Sequence, residues 1–159
     1  MLSKEQILIR EFKLADLESV KELINRTIDA CYNGYYCNEV MDYFDMYNWD
    51  GNILKVARDG YIVVVEKQGK IVGTGSIIGE VVSRVFVDPA CQKQGLGKMI
   101  MNKLERQAAA NGVKIVRLRA LANAKKFYES LGYVTVDKGL VAVDNSRHLE
   151  YYQMEKKLK

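Results

Sequence analysis

Strand-like and helix-like hydrophobic patterns alternate along the 159 residues, which predicts an α/β (α+β) fold, a mixed β-sheet flanked by helices. Three observations carry that reading. Tyr61–Glu66 and Ile71–Ile78 are apolar, β-branched runs on either side of Lys67-Gln68-Gly69-Lys70, the pattern of a β-hairpin. A third strand-like run, Val81–Val87, halts at Asp88-Pro89, which contains the chain's single proline, and leads through Gly95 and Gly97 into a helical pattern. No repeat, low-complexity tract or linker interrupts the chain, so residues 1–159 read as one domain.

The elements follow in order. Ile7–Phe12 reads as an opening strand, and Leu14, Leu17, Val20, Leu23, Ile24 and Ile28 then recur at helical spacing. A shorter helix is expected over Asn38–Tyr47, with Val40, Phe44 and Tyr47 on its apolar face. The hairpin and the strand Val81–Val87 come next. From Leu96, the positions Ile100, Leu104 and Ala108 repeat every four residues until Asn111-Gly112 stops the helix. Val113–Leu118 is a buried-looking strand, Asn123–Leu131 a short helix ending at Gly132, Tyr133–Val136 a strand, and His148–Leu158 the closing strand. The expected order is β-α-α-β-β-β-α-β-α-β-β.

Composition narrows the function classes. The chain is 48% hydrophobic and 28% charged, with no apolar run long enough to span a bilayer and no secretory pattern at Met1–Arg10, so a cytoplasmic location is expected. Cys31, Cys37 and Cys91 form no C-x-x-C pair and suit a reducing compartment; Cys91 is expected to be a small loop residue. With His148 the only histidine, neither a Cys/His metal site nor a Ser-His-Asp arrangement is supported, and no metal is expected. Residues 1–60 carry seven basic and eleven acidic side chains, and residues 61–159 carry seventeen and nine. The basic excess gathers at Lys93, Lys98, Lys103, Arg106, Lys114, Arg117, Arg119, Lys125 and Lys126, which favours an anionic ligand. Basic–aromatic interleaving and any recognisable nucleic-acid module are absent, so nucleic acid is not the expected partner, and without a spanning apolar run neither is a membrane.

The anion-binding candidate is the loop Cys91-Gln92-Lys93-Gln94-Gly95-Leu96-Gly97-Lys98. A strand followed by glycines and a helix start presents backbone N–H groups and the positive end of a helix dipole. It is not a Walker A loop: Gln92 stands at the first glycine position and Met99 follows Gly97-Lys98. It is not a dinucleotide fingerprint either, because Ile100 replaces the third glycine.

What remains, Q-x-x-G-x-G, resembles the acyl-CoA loop of the GNAT acetyltransferase superfamily, whose pattern is [RQ]-x-x-G-x-[GA]. Val85-Phe86-Val87-Asp88-Pro89 resembles that family's L-x-V-x-P lead-in. Ala120–Tyr133, with Asn123, Ala124, Phe127, Tyr128, Glu129 and Gly132 in register, resembles its A-x-x-N-A-x-x-F-Y-E-x-x-G-[FY] segment. Met154-Glu155-Lys156 resembles its closing strand. The resemblance implies a GNAT fold, a mixed and mostly antiparallel sheet of about seven strands flanked by about four helices. It also implies acetyl-CoA or coenzyme A as cosubstrate. The amides of Gln92, Lys93, Gln94, Gly95, Leu96, Gly97 and Lys98 would meet the pyrophosphate, with glycines 95 and 97 keeping side chains out of the way. Val85, Phe86 and Val87 would pair with the pantetheine amides as an added strand. Asn123 would hydrogen-bond the cofactor or cap the short helix. Tyr128 would be the general acid at the departing sulfur, the other reading being core packing beside Phe127.

The general base is less legible. Glu80 is the nearest candidate, but strict alternation puts it on the face opposite Val85 and Val87, so it would need a β-bulge; a water chain is the other reading. For the acceptor, Cys31–Cys37 is rich in tyrosine, and Glu39, Asp42, Asp45 and Asp50 follow. Such groups around a cleft would suit a cationic amine, although the acidic residues also fit the wet face of an amphipathic helix. The expected activity is acetyl transfer by direct nucleophilic attack of a primary amine of a small-molecule or peptide acceptor, a small molecule being favoured over a protein. A non-catalytic acyl-CoA-binding sensor of the same fold is the alternative, and family habit admits a homodimer.

Overall fold

The computed structural model describes residues 6–159 apart from Asn33 and Tyr35. Its strands are β1 (Ile7–Glu11), β2 (Tyr61–Lys67), β3 (Lys70–Ile78), β4 (Val81–Val87), β5 (Ile115–Ala120), β6 (Val134–Ala142) and β7 (His148–Lys157). The helices are α1 (Leu17–Tyr32), α2 (Asn38–Tyr47), α3 (Asp50–Asp59), α4 (Leu96–Ala110) and α5 (Lys125–Ser130). The strands form one sheet in the order β1-β2-β3-β4-β5-β7-β6, antiparallel except where β4 meets β5. This is the mixed, mostly antiparallel seven-stranded sheet that the resemblance implies.

Each face of the sheet buries its own core. On one, Leu96, Ile100, Met101, Leu104 and Ala108 of α4 pack with Val63, Val65, Val72, Val116, Leu118 and Met154. Leu104 is fully buried, and truncating such a leucine to alanine costs about 2–5 kcal/mol. On the other, α1, α2 and α3 supply Val20, Leu23, Ile24, Ile28, Phe44, Ile53 and Val56 against Ile62, Val64 and Ile71. Successive valines of β2 thus alternate between the two cores, as the period of a strand requires.

Two elements depart from expectation. The sequence pattern left out α3, so among the described residues five α-helices flank the sheet. The strand expected over Tyr133–Val136 runs on as β6 to Ala142, paired along β7 from Val134↔Glu155 to Ala142↔His148.

At the sheet edge, Arg10 bridges two carboxylates, with Nη1 2.8 Å from Asp16 and Nη2 2.6 Å from Glu66. Asp16 also accepts the Lys13 N–H at 2.7 Å. The Arg10 hydrogen bond holds the Asp16 carboxyl below its ordinary pKa, against the opposing effect of burial.

Candidate functional site

The site begins with a parting in the sheet. The parallel ladder of β4 and β5 is recorded at Val81↔Arg117, supported by Arg117 N–H donating to Glu80 C=O at 2.8 Å. Beyond it the strands splay and open a cleft of about 230 Å³. Val81 to Phe86 line one wall, Leu118 to Leu121 the other, and Tyr128 and Ala124 lie at the α5 side. Backbone groups of β4 that would pair with a neighbouring strand therefore face the gap.

A β-bulge shapes that wall. Ser76 pairs with Ser83 and Thr74 with Phe86, so Arg84 and Val85 together oppose one residue of β3. Arg84 adopts φ +53°, the left-handed region that a side chain occupies at a cost. Because of the extra residue, Val82, Val85 and Val87 all face the α4 core, while Phe86 faces the opposite one. The bulge changes the alternation that separated Glu80 from Val85. Even so, Glu80 sits in the β3–β4 turn with Oε1 3.2 Å from Arg117 Nε, and it does not line the cleft.

At the far end of β4, the turn into α4 is locked by side chains. Asp88 accepts the Ala90 N–H at 3.0 Å and pairs with Arg26 at 2.7 Å. Burial pushes the Asp88 carboxyl up, but the Ala90 amide and Arg26 outweigh it, leaving the pKa lowered. Gln92 turns back to donate to Val87 C=O at 3.0 Å, fastening the loop to the strand end. Gly95 forms the N-cap of α4 at φ +82° with no side chain capping the helix. Met99 N–H is the first amide of the helix bonded back, to Gly95 C=O at 3.1 Å. The earlier amides of the turn are left open, with Lys93 and Lys98 exposed beside them.

Gly97 also has a packing role. A Cβ there would lie 2.9 Å from Phe127 Cζ, so glycine at this position lets α5 approach α4. Phe127 in turn packs edge-on against Tyr128, with ring centroids 5.0 Å apart. The loop and the buried tyrosine are therefore mechanically joined.

Tyr128 is buried at 8% exposure, its ring also edge-on to Tyr133 at 5.8 Å. Its hydroxyl makes no hydrogen bond to another described residue. Burial, with Tyr32 adding a smaller effect, raises its pKa well above the ordinary phenol value. Tyr32 reaches the same cleft from α1, its own hydroxyl pushed up to about 12 by burial. Asn123 is exposed, and Ala124 rather than Asn123 occupies the N-cap of α5, so the capping reading is corrected. Cys91 is buried in the core cluster under α4.

The acidic residues after Cys37 follow the wet-face reading and not the acceptor one. Glu39 pairs with Arg147, Asp50 pairs with Lys21, Asp42 and Asp45 are exposed on α2, and none of the four lines the cleft. Tyr36 packs on Tyr32 and Phe44, while Tyr35 and Asn33 lie outside the described residues. Among the described residues, the charged side chains that do line the cleft are Arg84 and Arg119. Arg84 lies 4.3 Å over the Tyr47 ring and donates through Nη2 to Tyr47 C=O at 2.9 Å. Burial lowers its pKa from the ordinary guanidinium value. Arg119 lies 4.5 Å over the Tyr151 ring. Sequence reasoning placed Arg119 only in a general basic cluster and gave Arg84 no role. Nothing in the local pattern around Ser83-Arg84-Val85 marks a bulge.

The comparisons agree with this architecture. The acetyltransferase (GNAT) domain profile matches residues 28–158. An acetyltransferase-named protein of Bacillus subtilis (strain 168) is 32% identical over 124 residues, 77% of this chain and 80% of the relative. A GCN5-related N-acetyltransferase from Rhodopseudomonas palustris superposes with a TM-score of 0.87 at 21% identity, over 99% of each chain. The PaiA N-acetyltransferase of Thermoplasma acidophilum, solved with coenzyme A, superposes at 0.79 with 20% identity, over 96% of this chain and 99% of that one. At these identities the structural likeness speaks for the fold.

Proposed function

The chain belongs to the GNAT acetyltransferase family, and on that premise we propose that it moves the acetyl group of acetyl-CoA directly to a primary amine. The observation that carries this reading is continuity. The splayed wall of β4 and Tyr128 line one cleft, and β4 leads through the Asp88–Gln94 turn to the open first turn of α4. The coenzyme A bound to the Thermoplasma relative supports the same cosubstrate here.

Acetyl-CoA supplies the acetyl group as a thioester. The first-turn amides of α4, with Lys93 and Lys98, hold the pyrophosphate, where the helix dipole favours negative charge. The backbone of Val85, Phe86 and Val87 pairs with the pantetheine amides, substituting for the strand that β5 withholds. A bulge amide polarises the thioester carbonyl. The amine nitrogen forms the new C–N bond and gives up a proton to water, the C–S bond breaks as Tyr128 donates its hydroxyl proton to the sulfur, and a proton taken back from water restores the Tyr128 hydroxyl. Burial keeps Tyr128 protonated at neutral pH, and the same apolar surroundings raise the basicity of the departing thiolate. Because Glu80 is held by Arg117 outside the cleft, deprotonation of the acceptor is assigned to water.

The test follows free thiol while the protein turns over acetyl-CoA with a broad panel of amines. Thiol release that requires both an amine and an intact Tyr128 supports transfer. Tight acetyl-CoA binding with no release on any amine would instead make this a cofactor-binding module.

A further inference from the structure

The cleft carries positive charge on its lining. Among the described residues, no aspartate or glutamate lines the cleft, while Arg84 and Arg119 do. Arg10, Arg26, Arg117 and Arg147 each meet a carboxylate within 3.2 Å, as arginines in folded chains usually do. Arg84 meets none: it is stacked on Tyr47, its Nη2 is committed to one backbone carbonyl, and its Nε is buried without a hydrogen-bond partner. The bulge holds this residue in a left-handed conformation, so its position is fixed at the expense of backbone strain. Beside it, Asn48 also lines the cleft, with Oδ1 buried and unpaired while Nδ2 donates to Phe44 C=O at 2.9 Å. Arg84 Nη1, by contrast, makes no hydrogen bond to a described residue and is not sealed, so it is the donor open to a ligand in the cleft.

We propose that the cleft takes a primary amine that also carries a carboxylate, an amino-acid-like acceptor whose carboxylate is bound by Arg84. This rests on the acetyl-transfer reading and names its substrate class. Arg119 adds positive field from the β5 wall. The cofactor's phosphates do not compete for Arg84. At about 3.3 Å per strand residue, Val87 is already about 10 Å further along β4, and α4 lies beyond it. A carboxylate suits the site better than a phosphate, because one guanidinium with part of its fork already used balances a single negative charge.

Small, aliphatic and aromatic amino acids, each paired with its carboxamide and its decarboxylated amine, are titrated calorimetrically into CoA-saturated protein; phosphoethanolamine serves as the phosphate arm. Wild-type protein should bind at least one carboxylate member about tenfold or more tighter than its two neutralised partners. Arg84→Gln should erase that preference while leaving CoA affinity intact, Arg84→Lys should keep part of it, and Arg119→Gln should weaken it. No carboxylate preference anywhere in the panel overturns the proposal, as does a preference that survives Arg84→Gln or a tighter grip on phosphoethanolamine than on every amino acid. Thiol release is read separately: carboxylate-selective binding without turnover would sink acetyl transfer and leave the subsite standing.

Discussion

Replacing Gly97 with alanine drives a methyl group into Phe127. The added Cβ would lie 2.9 Å from Phe127 Cζ and 3.1 Å from Cε1. Carbon atoms in good contact stand about 3.5–4.0 Å apart, so ring or helix must give by about half an ångström. Phe127 cannot simply retreat, because it is packed against Tyr128 and the α4 core. Overpacking of this kind costs about 1–3 kcal/mol. For a domain of this size that lowers the melting temperature by about 3–10 °C. Affinity for CoA should fall as well, since the displaced ring adjoins the first turn of α4. Gly95 provides the contrast: an added Cβ would meet nothing within 4 Å, but its φ of +82° charges alanine about 1–2 kcal/mol of backbone strain. Thermal unfolding and CoA titration calorimetry on Gly97→Ala, Phe127→Leu and the double variant provide the assay. The smaller leucine should restore stability lost at Gly97, with a coupling of about 1 kcal/mol, and should do nothing for Gly95→Ala. Strict additivity at Gly97 and Phe127, or an unchanged melting temperature in Gly97→Ala, would refute the reasoning.

Tyr128→Phe keeps both edge-on ring contacts and removes a hydroxyl with no partner among the described residues, so stability and CoA affinity should hold. Turnover should fall about 100-fold, the scale of general acid catalysis; an undiminished rate would remove the proton-donor role. With the Tyr128 pKa raised, wild-type turnover should show no alkaline limb at about pH 10, where an ordinary tyrosine ionises. For Asp16, a folded pKa below the unfolded one adds stability above the unfolded value, and that stability drains away as pH falls through the folded one. Arg10→Met should therefore cost about 3 kcal/mol at neutral pH and flatten the loss of stability below about pH 4, both read by urea unfolding. An equally steep acid loss in the variant would contradict that assignment.

Much of the fold was legible because local chemistry and burial agree. Lys67-Gln68-Gly69-Lys70 closes a hairpin, Pro89 ends β4, and the four-residue repeat of α4 is the stripe it buries. Helix α3 escaped notice because Gly51 and Asn52 fill its first turn and only Ile53 and Val56 are buried apolar residues. The length of β6 was hidden for a related reason: it is an edge strand with Asp137, Lys138 and Gly139 in its middle, held by backbone pairing to β7 rather than by an apolar face. At the site, glycines and aromatic residues mark the loop and Tyr128, since they suit a backbone-bound anion and a buried ring. The parting of β4 from β5 is a relation between strands about thirty residues apart, and no local pattern records it. The bulge at Arg84 is of the same kind. It sets Arg84 in the wall of the cleft, where no periodic reading of β4 would place it.

Hydrogen–deuterium exchange with and without acetyl-CoA tests most directly whether the gap in the sheet and the start of α4 form a single cofactor site. Protection should appear together at the amides of residues 85–87 and 95–98, with little change along β1 or β6. Protection that misses β4, or that falls on the β6–β7 hairpin instead, would contradict the central claim.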